Sequence, residues 1–354
     1  MTNKYSNLDL LRSMAVLSVV TAHLWHSCVA FHICAENHFI SQFVRNCSIT
    51  GVSFFFVHTC LVLMLSMHRA PDAHRARNFL IRRAFRIYPL CWAAIFLALA
   101  TGLTDLSANG LHALGWRDIL ANLLLVQNFA KTRTTACILG PLWSLPWEVQ
   151  MYLILPLFFV VMRRFQWLGT IFLIWLGAFL LAVVGTQPRV PHLGWAIFPP
   201  MFIAGMVAYR LLIQQPQEKR FAFPAWSWPL FVISLFVLAP MLVGDREIYE
   251  PVSAAANACT CFLVGLAIPS FRELTSGWII RPAEQIAKYS YGVYLLHVPA
   301  IVFCFRFFPD LQIALKVAAS LAVTALLSFI SFHVIEDPLI RMGKRLTQAD
   351  ASAH

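Results

Sequence analysis

The stretch LDLLRSMAVLSVVTAHL, Leu8 to Leu24, sets Arg12 and His23 eleven positions apart in a run that is otherwise largely apolar. At about 100° per residue, eleven steps close three turns with about 20° left over. A helix would therefore project both side chains from one face, about 16 Å apart along its axis. That is about half the thickness of a bilayer's hydrocarbon core. With Arg12 at one headgroup layer, beside Asp9 one turn before it, His23 comes to lie near the midplane, where ionisable groups are costly and mark function. The run is too long for the apolar region of a signal peptide and no small-residue cleavage pattern follows it, so it is expected to stay in the mature protein.

The bulk composition has the same character. Of the 354 residues, 59% are hydrophobic, 14% aromatic and only 12% charged, and the mean hydropathy is +0.70. No soluble fold needs that composition. Charge-poor runs recur at roughly 8 to 31, 50 to 67, 87 to 103, 142 to 162, 168 to 185, 195 to 213, 226 to 243, 252 to 269, 289 to 305 and 311 to 335. They predict an all-α polytopic membrane bundle of ten spans. The segment ILANLLLVQNF, 119 to 129, is apolar but too short to cross; it reads as a re-entrant or interfacial piece, with an eleventh span as the alternative.

Lysine and arginine gather in cytoplasmic loops, so their placement tests this topology. With both termini inside, 19 of the 27 basic residues fall on the cytoplasmic side: Lys4, Arg12, the six arginines from Arg69 to Arg86, Arg163, Arg164, Arg210, Lys219, Arg220, Arg272, Arg281, Lys288, Arg341, Lys344 and Arg345. Seven fall outside (Arg45, Arg117, Lys131, Arg133, Arg189, Arg246, Arg306), and Lys316 lies in the last span. An eleventh span would break the alternation. The net charge of +11 thus records topology and contact with anionic membrane lipids, and gives no reason to infer nucleic acid. The nine cysteines are scattered without metal-ligand spacing, so no metal is expected. Cys34 and Cys47, with Cys137 as a rival partner, fall in outer loops where an oxidising compartment would let a disulfide form. No internal repeat and no second, soluble domain is evident, and the sequence is silent on oligomeric state.

Six short stretches then read together: Arg12 with His23, GVSFFFV from Gly51, RRAFRIYP from Arg82, PLWSLPWEVQMYLILP from Pro141, SYGVYLLHVP from Ser290 and EDPLIRMGKRL from Glu336. In that order they resemble the acyltransferase 3 family of integral membrane acyltransferases, over residues 8 to 346. The resemblance implies one membrane domain over 1 to 354, with a core from 8 to 346 and a cytoplasmic tail from 339 to 354, in a bacterial cytoplasmic membrane. It also implies transfer of an acyl group, usually acetyl, from a cytoplasmic acyl-CoA to a sugar hydroxyl of a cell-surface or secreted glycan. Acetyl-CoA is then a donor substrate and a carbohydrate or glycolipid the acceptor. The family's first-helix arginine and histidine fall on Arg12 and His23, and its RxxR pair falls on Arg83 and Arg86. The chain departs from the family pattern at Ser53, often Asp, at His58, Thr59 and Cys60, often Leu-Ser-Gly, and at Asp337, where the family commonly has Glu-Arg-Pro. These changes bear on donor and acceptor specificity.

The residues support such chemistry on their own terms. Moving an acyl group from a thioester to an alcohol needs a base for the hydroxyl proton, and histidine suits that task near neutral pH. His23 is the candidate, as base or as transient acyl carrier. Arg12 would bind a donor phosphate or orient a carboxylate beside His23; as an interface anchor it would only snorkel. Arg82, Arg83 and Arg86 enter the third span with guanidinium forks suited to coenzyme A phosphates, though plain cytoplasmic anchoring explains them too. Glu148, near the start of its span, would orient His23 or bind sugar hydroxyls together with Trp143, Ser144, Trp147 and Gln150.

His297, His58 and His26 read as packing residues, with His26, near the face of His23, the first of them to suspect of a role. Pro146 and Pro156 should break or kink their span around a lined cavity, and Pro199 with Pro200 should bend another. Gly51 should permit close helix packing, and Glu336 should pair with a cytoplasmic arginine. A transporter or flippase for a polar lipid or sugar would use buried His and Glu and broken helices equally well. Dependence on coenzyme A separates the two.

Overall fold

The computed structural model describes residues 5–70, 74–104, 114–129, 137–164, 167–187, 194–214 and 223–349. Lys4, Lys131, Arg133, Arg189, Lys219 and Arg220, used above for topology, lie outside them, as do residues 350–354 of the expected tail. The described chain forms α1 (Ser6–Ala30), α2 (His38–Arg69), α3 (Arg75–Thr101), α4 (Trp116–Leu124), α5 (Leu145–Arg164), α6 (Leu168–Gly185), α7 (Pro199–Gln214), α8 (Ser227–Val243), α9 (Pro251–Ala267), α10 (Gly277–Phe307), α11 (Ile313–Ser331) and α12 (Asp337–Ala349). Among the described residues nine helical stretches are long and apolar enough to cross a membrane, so the chain is a polytopic helical bundle.

The seventh expected span, 226 to 243, is the 17-residue apolar helix α8, just shorter than those nine; it ends at Gly244, whose φ of 60° suits a residue without a Cβ. The 119 to 129 segment forms no eleventh span. Nine residues of α4 rise only about 14 Å, and Leu125, left-handed at φ 56°, stops the helix before the short turn Gln127–Phe129.

Two compact units make up the chain. In the first (Met1–Ala22, Glu36–Arg69, Leu155–Lys288), α7 is buried along nearly its whole length against α2, α6 and α9. Glycines let these backbones close. A Cβ on Gly205 would stand 2.5 Å from the Val57 carbonyl oxygen, one on Gly265 2.4 Å from that of Ala204, and one on Gly51 2.7 Å from that of Ala15. Gly51 thus has the packing role its sequence suggested. The start of α1 is fastened by polar bonds: the Trp228 indole donates to the Asn7 carbonyl at 3.0 Å, and the Asn7 amide donates to the Arg272 carbonyl at 3.1 Å while accepting from the Leu274 N–H. Pro199 and Pro200 do not bend a span. They open α7, where a missing N–H is one the helix leaves unpaired anyway.

The second unit comprises His23–Ala35, Ala70–Ile154 and Tyr289–His354. Here α12, which holds most of the expected cytoplasmic tail, packs on α3: a Cβ on Gly343 would lie 2.9 Å from the Phe85 Cβ, and the Arg82 guanidinium donates to the Thr347 hydroxyl at 2.7 Å. A π-helical turn, Phe332–Glu336, joins α11 to α12. The segment after α3 is held by side chains that satisfy loose backbone groups. Trp92 and Tyr88 donate to the carbonyls of Leu123 and Leu124, Gln127 to that of Leu142, and Asn122 accepts from the Ile138 N–H. Pro146 is the second residue of α5, where proline is tolerated, whereas Pro156 lies inside the helix. None of the nine cysteines is in a disulfide, so the expected bridge is not formed; the Cys47 thiol instead donates to the Phe236 carbonyl at 3.3 Å.

The glycine contacts give a direct test of this packing. Gly205→Ala should destabilise the solubilised protein by about 1–3 kcal/mol, because the new methyl meets backbone rather than a movable side chain. Gly177→Ala, with nothing within 4 Å of its added Cβ, should leave the thermal midpoint unchanged or slightly raised, alanine being the better helix former. Equal midpoints for the two variants would contradict the close approach of α7 to α2.

Candidate active site

His23 lies on the last two turns of α1, in the second unit, and is half-buried. Its ring meets that of His297 on α10 edge to face, with centroids 4.9 Å apart and planes at 70°. His297, read above as a packing residue, is fully buried. Its Nδ1 is 3.0 Å from the Val293 carbonyl oxygen one turn earlier. A carbonyl only accepts, so Nδ1 carries the hydrogen and Nε2 is the free ring nitrogen. His26, the histidine first suspected of a supporting role, is exposed.

One turn before His297, Tyr294 continues the line, its ring centroid 6.4 Å from that of His297. The Tyr294 hydroxyl donates to the Pro141 carbonyl at 3.0 Å, which leaves it to accept from the Ser144 hydroxyl at 2.7 Å. Ser144 immediately precedes α5, and its carbonyl accepts the Glu148 N–H at 3.3 Å, starting the helix that carries the acid. The Glu148 carboxylate takes a hydrogen bond from Tyr152, one turn along the same face. Glu148 also lies within electrostatic reach of Tyr294 and, with Tyr152, of Arg83.

The three arginines of α3 separate into different duties. Arg82 is committed to Thr347 on α12. Arg86 forms an ion pair at 3.4 Å with Glu336, which is 2% exposed, and stands 5.9 Å from the centre of the Tyr291 ring. This is the arginine partner expected for Glu336. Arg83 lies within electrostatic reach of Tyr152 and Glu148, and its buried Nε has no hydrogen-bond partner among the described residues. The acceptor-side candidates separate too. Gln150 exchanges two amide hydrogen bonds with Asn128, at 2.9 and 3.2 Å, and is thereby occupied. Trp143 and Trp147 are half-buried on either side of Ser144.

Arg12 belongs to the first unit, where it lies within electrostatic reach of the buried His58. Sequence reasoning thus named His23, Ser144, Glu148 and Arg83, all in the second unit, and missed their neighbours His297, Tyr294 and Tyr152. Tyr152 had a readable signal, the four-residue step from Glu148 on a helix. His297 had the signal that exposed His23: an ionisable group in a charge-poor span.

Residues 5–333 match the profile of an acyltransferase domain family, acyltransferase 3. The O-acetyltransferase OatA of Staphylococcus aureus is 25% identical over 378 aligned residues, which cover 95% of this chain and 57% of OatA. The putative peptidoglycan O-acetyltransferase YrhL of Bacillus subtilis is 26% identical over 386, covering 96% of this chain and 55% of YrhL. The regulator of hypoxia-inducible factor 1 of Caenorhabditis elegans is 23% identical over 409, covering 96% and 80%. The chain therefore spans little more than half the length of the two bacterial relatives. No solved structure matches it. With a profile match over nearly its whole length, laid on a polytopic helical bundle, the chain belongs to the acyltransferase 3 family.

Proposed function

We propose that this chain moves an acyl group, acetyl foremost, from a cytoplasmic acyl-CoA to a sugar hydroxyl of a cell-surface or secreted glycan, in a bacterial cytoplasmic membrane. The observation that carries the reading is the series of neighbours within one unit that runs from His23 through His297, Tyr294 and Ser144 to Glu148, which lies within electrostatic reach of Arg83. It joins a candidate base or acyl carrier to a cation suited to a phosphate. The printed names of OatA and YrhL, both O-acetyltransferases and the second a putative peptidoglycan one, support a carbohydrate acceptor. In this reading Arg83, with Arg86 beside it, holds a phosphate of coenzyme A, and Arg12 sets the cytoplasmic end of α1. Glu148 orients the polar groups around the acceptor, and Trp143 and Trp147 offer apolar faces to its sugar ring.

The test follows radiolabel from acetyl-CoA into the glycan fraction of membranes that express the chain. Transfer above that of empty membranes is expected. Its absence with acetyl-CoA and with longer acyl-CoA donors alike would sink the proposal. Arg83→Gln keeps hydrogen-bonding capacity but removes the charge. Losing one charged bond to phosphate should raise the KM for acyl-CoA by about 10- to 100-fold with little change in kcat. An unchanged KM would remove Arg83 from the donor site.

A further inference from the structure

His297 is costly as a packing residue. Its Nδ1 is satisfied by Val293, while Nε2 is buried with no hydrogen-bond partner among the described residues. An unmet buried acceptor costs about 1–3 kcal/mol, and a phenylalanine or leucine would fill the volume without that cost. Such a group calls for an explanation, and the ring against which His297 packs supplies one: it is His23, at 4.9 Å. Two imidazoles in contact can divide a transfer that one must otherwise carry out alone. While a ring nitrogen of His23 holds the acyl group, the hydroxyl that attacks it needs a proton acceptor close by.

We propose that His297 is a second catalytic histidine, whose Nε2 takes the proton of the acceptor hydroxyl while His23 carries the acyl group. This rests on the acyl-transfer function proposed above. In the first half, the thioester C–S bond breaks as a C–N bond forms to His23, and the proton displaced from His23 leaves on the coenzyme A thiol. In the second half, the acceptor oxygen forms a C–O bond as the C–N bond breaks. The hydroxyl proton passes to Nε2 of His297 and from there back to the ring nitrogen of His23. The sum is thioester plus alcohol giving ester plus thiol.

His297→Asn tests the assignment, because the asparagine amide reaches the place of Nδ1 and keeps the bond to Val293 but has nothing at Nε2. Two quantities are read from the purified full chain: coenzyme A released in a burst without acceptor, and label transferred to the acceptor glycan. The expected result is a near-parental burst, of up to one equivalent per chain, with transfer at least about 100-fold slower. Transfer within threefold of the parent would overturn the proposal, as would an equal loss of burst and transfer in a variant that elutes as folded protein. A parent that transfers label but gives no burst would overturn it as well. A parent that transfers no label would remove the acyl-transfer reading itself. If the asparagine variant does not accumulate, His297→Gln, whose amide reaches toward the Nε2 position but accepts no proton, is read by the same outcomes.

Discussion

Membranes carrying His23→Ala should transfer no acetyl label above background, a loss of about 1,000-fold or more at matched expression. Removing a positioned general base costs about 100- to 10,000-fold, and removing a group that also accepts the acyl chain abolishes both halves of the reaction. The substitution should therefore end acceptor-independent coenzyme A release together with transfer, which sets it apart from the split expected of His297→Asn. The side chain is half-buried, and α1 is anchored at its other end by Asn7, Trp228 and Leu274. Folded yield should accordingly stay near that of the parent, as judged by elution of the solubilised protein. A variant that keeps more than about a tenth of parental transfer would show that the acyl group does not pass through His23.

The first helix and its histidine were legible in sequence because both follow from local rules: an apolar run of membrane length, and the cost of an ionisable group inside it. Gly51 was legible for a similar reason, since a glycine in an apolar span permits a close helix neighbour, although Gly177 shows that it does not require one. Boundaries were less so. The helix over 226 to 243 stops at 17 residues, and the pair Pro199 and Pro200 opens a helix rather than bending one, because proline's effect depends on its distance from a helix end that periodicity does not locate.

The site was legible residue by residue but not as an assembly. Nothing local in YLLHVP places His297 against His23, which is brought there by the packing of α10 beside the end of α1. The arginine cluster shows the same limit. Three arginines at helical spacing looked alike, yet α12 claims Arg82, the π-helical turn claims Arg86 through Glu336, and of the three only Arg83 keeps a buried Nε without a hydrogen-bond partner among the described residues.

That division of labour leads to a second large effect, on stability. Arg86→Met should destabilise the chain by about 3–5 kcal/mol, because it takes the Arg86 cation from the Glu336 carboxylate buried at the end of the π-helical turn. The charge, not the lost packing, should dominate, since methionine retains most of the apolar stem near Tyr291. Glu336→Gln in the same background removes the stranded charge and should recover most of the loss, a coupling that a double-mutant cycle on thermal or denaturant unfolding measures. An exposed pair would behave otherwise, costing at most about 1 kcal/mol and showing no such recovery. Activity supplies an independent axis. If Arg86 also steadies the donor phosphates beside Arg83, the double variant should regain most of the lost stability while its KM for acyl-CoA stays about tenfold raised. Recovery of both together would make Arg86 a structural partner of Glu336 only and leave donor binding to Arg83.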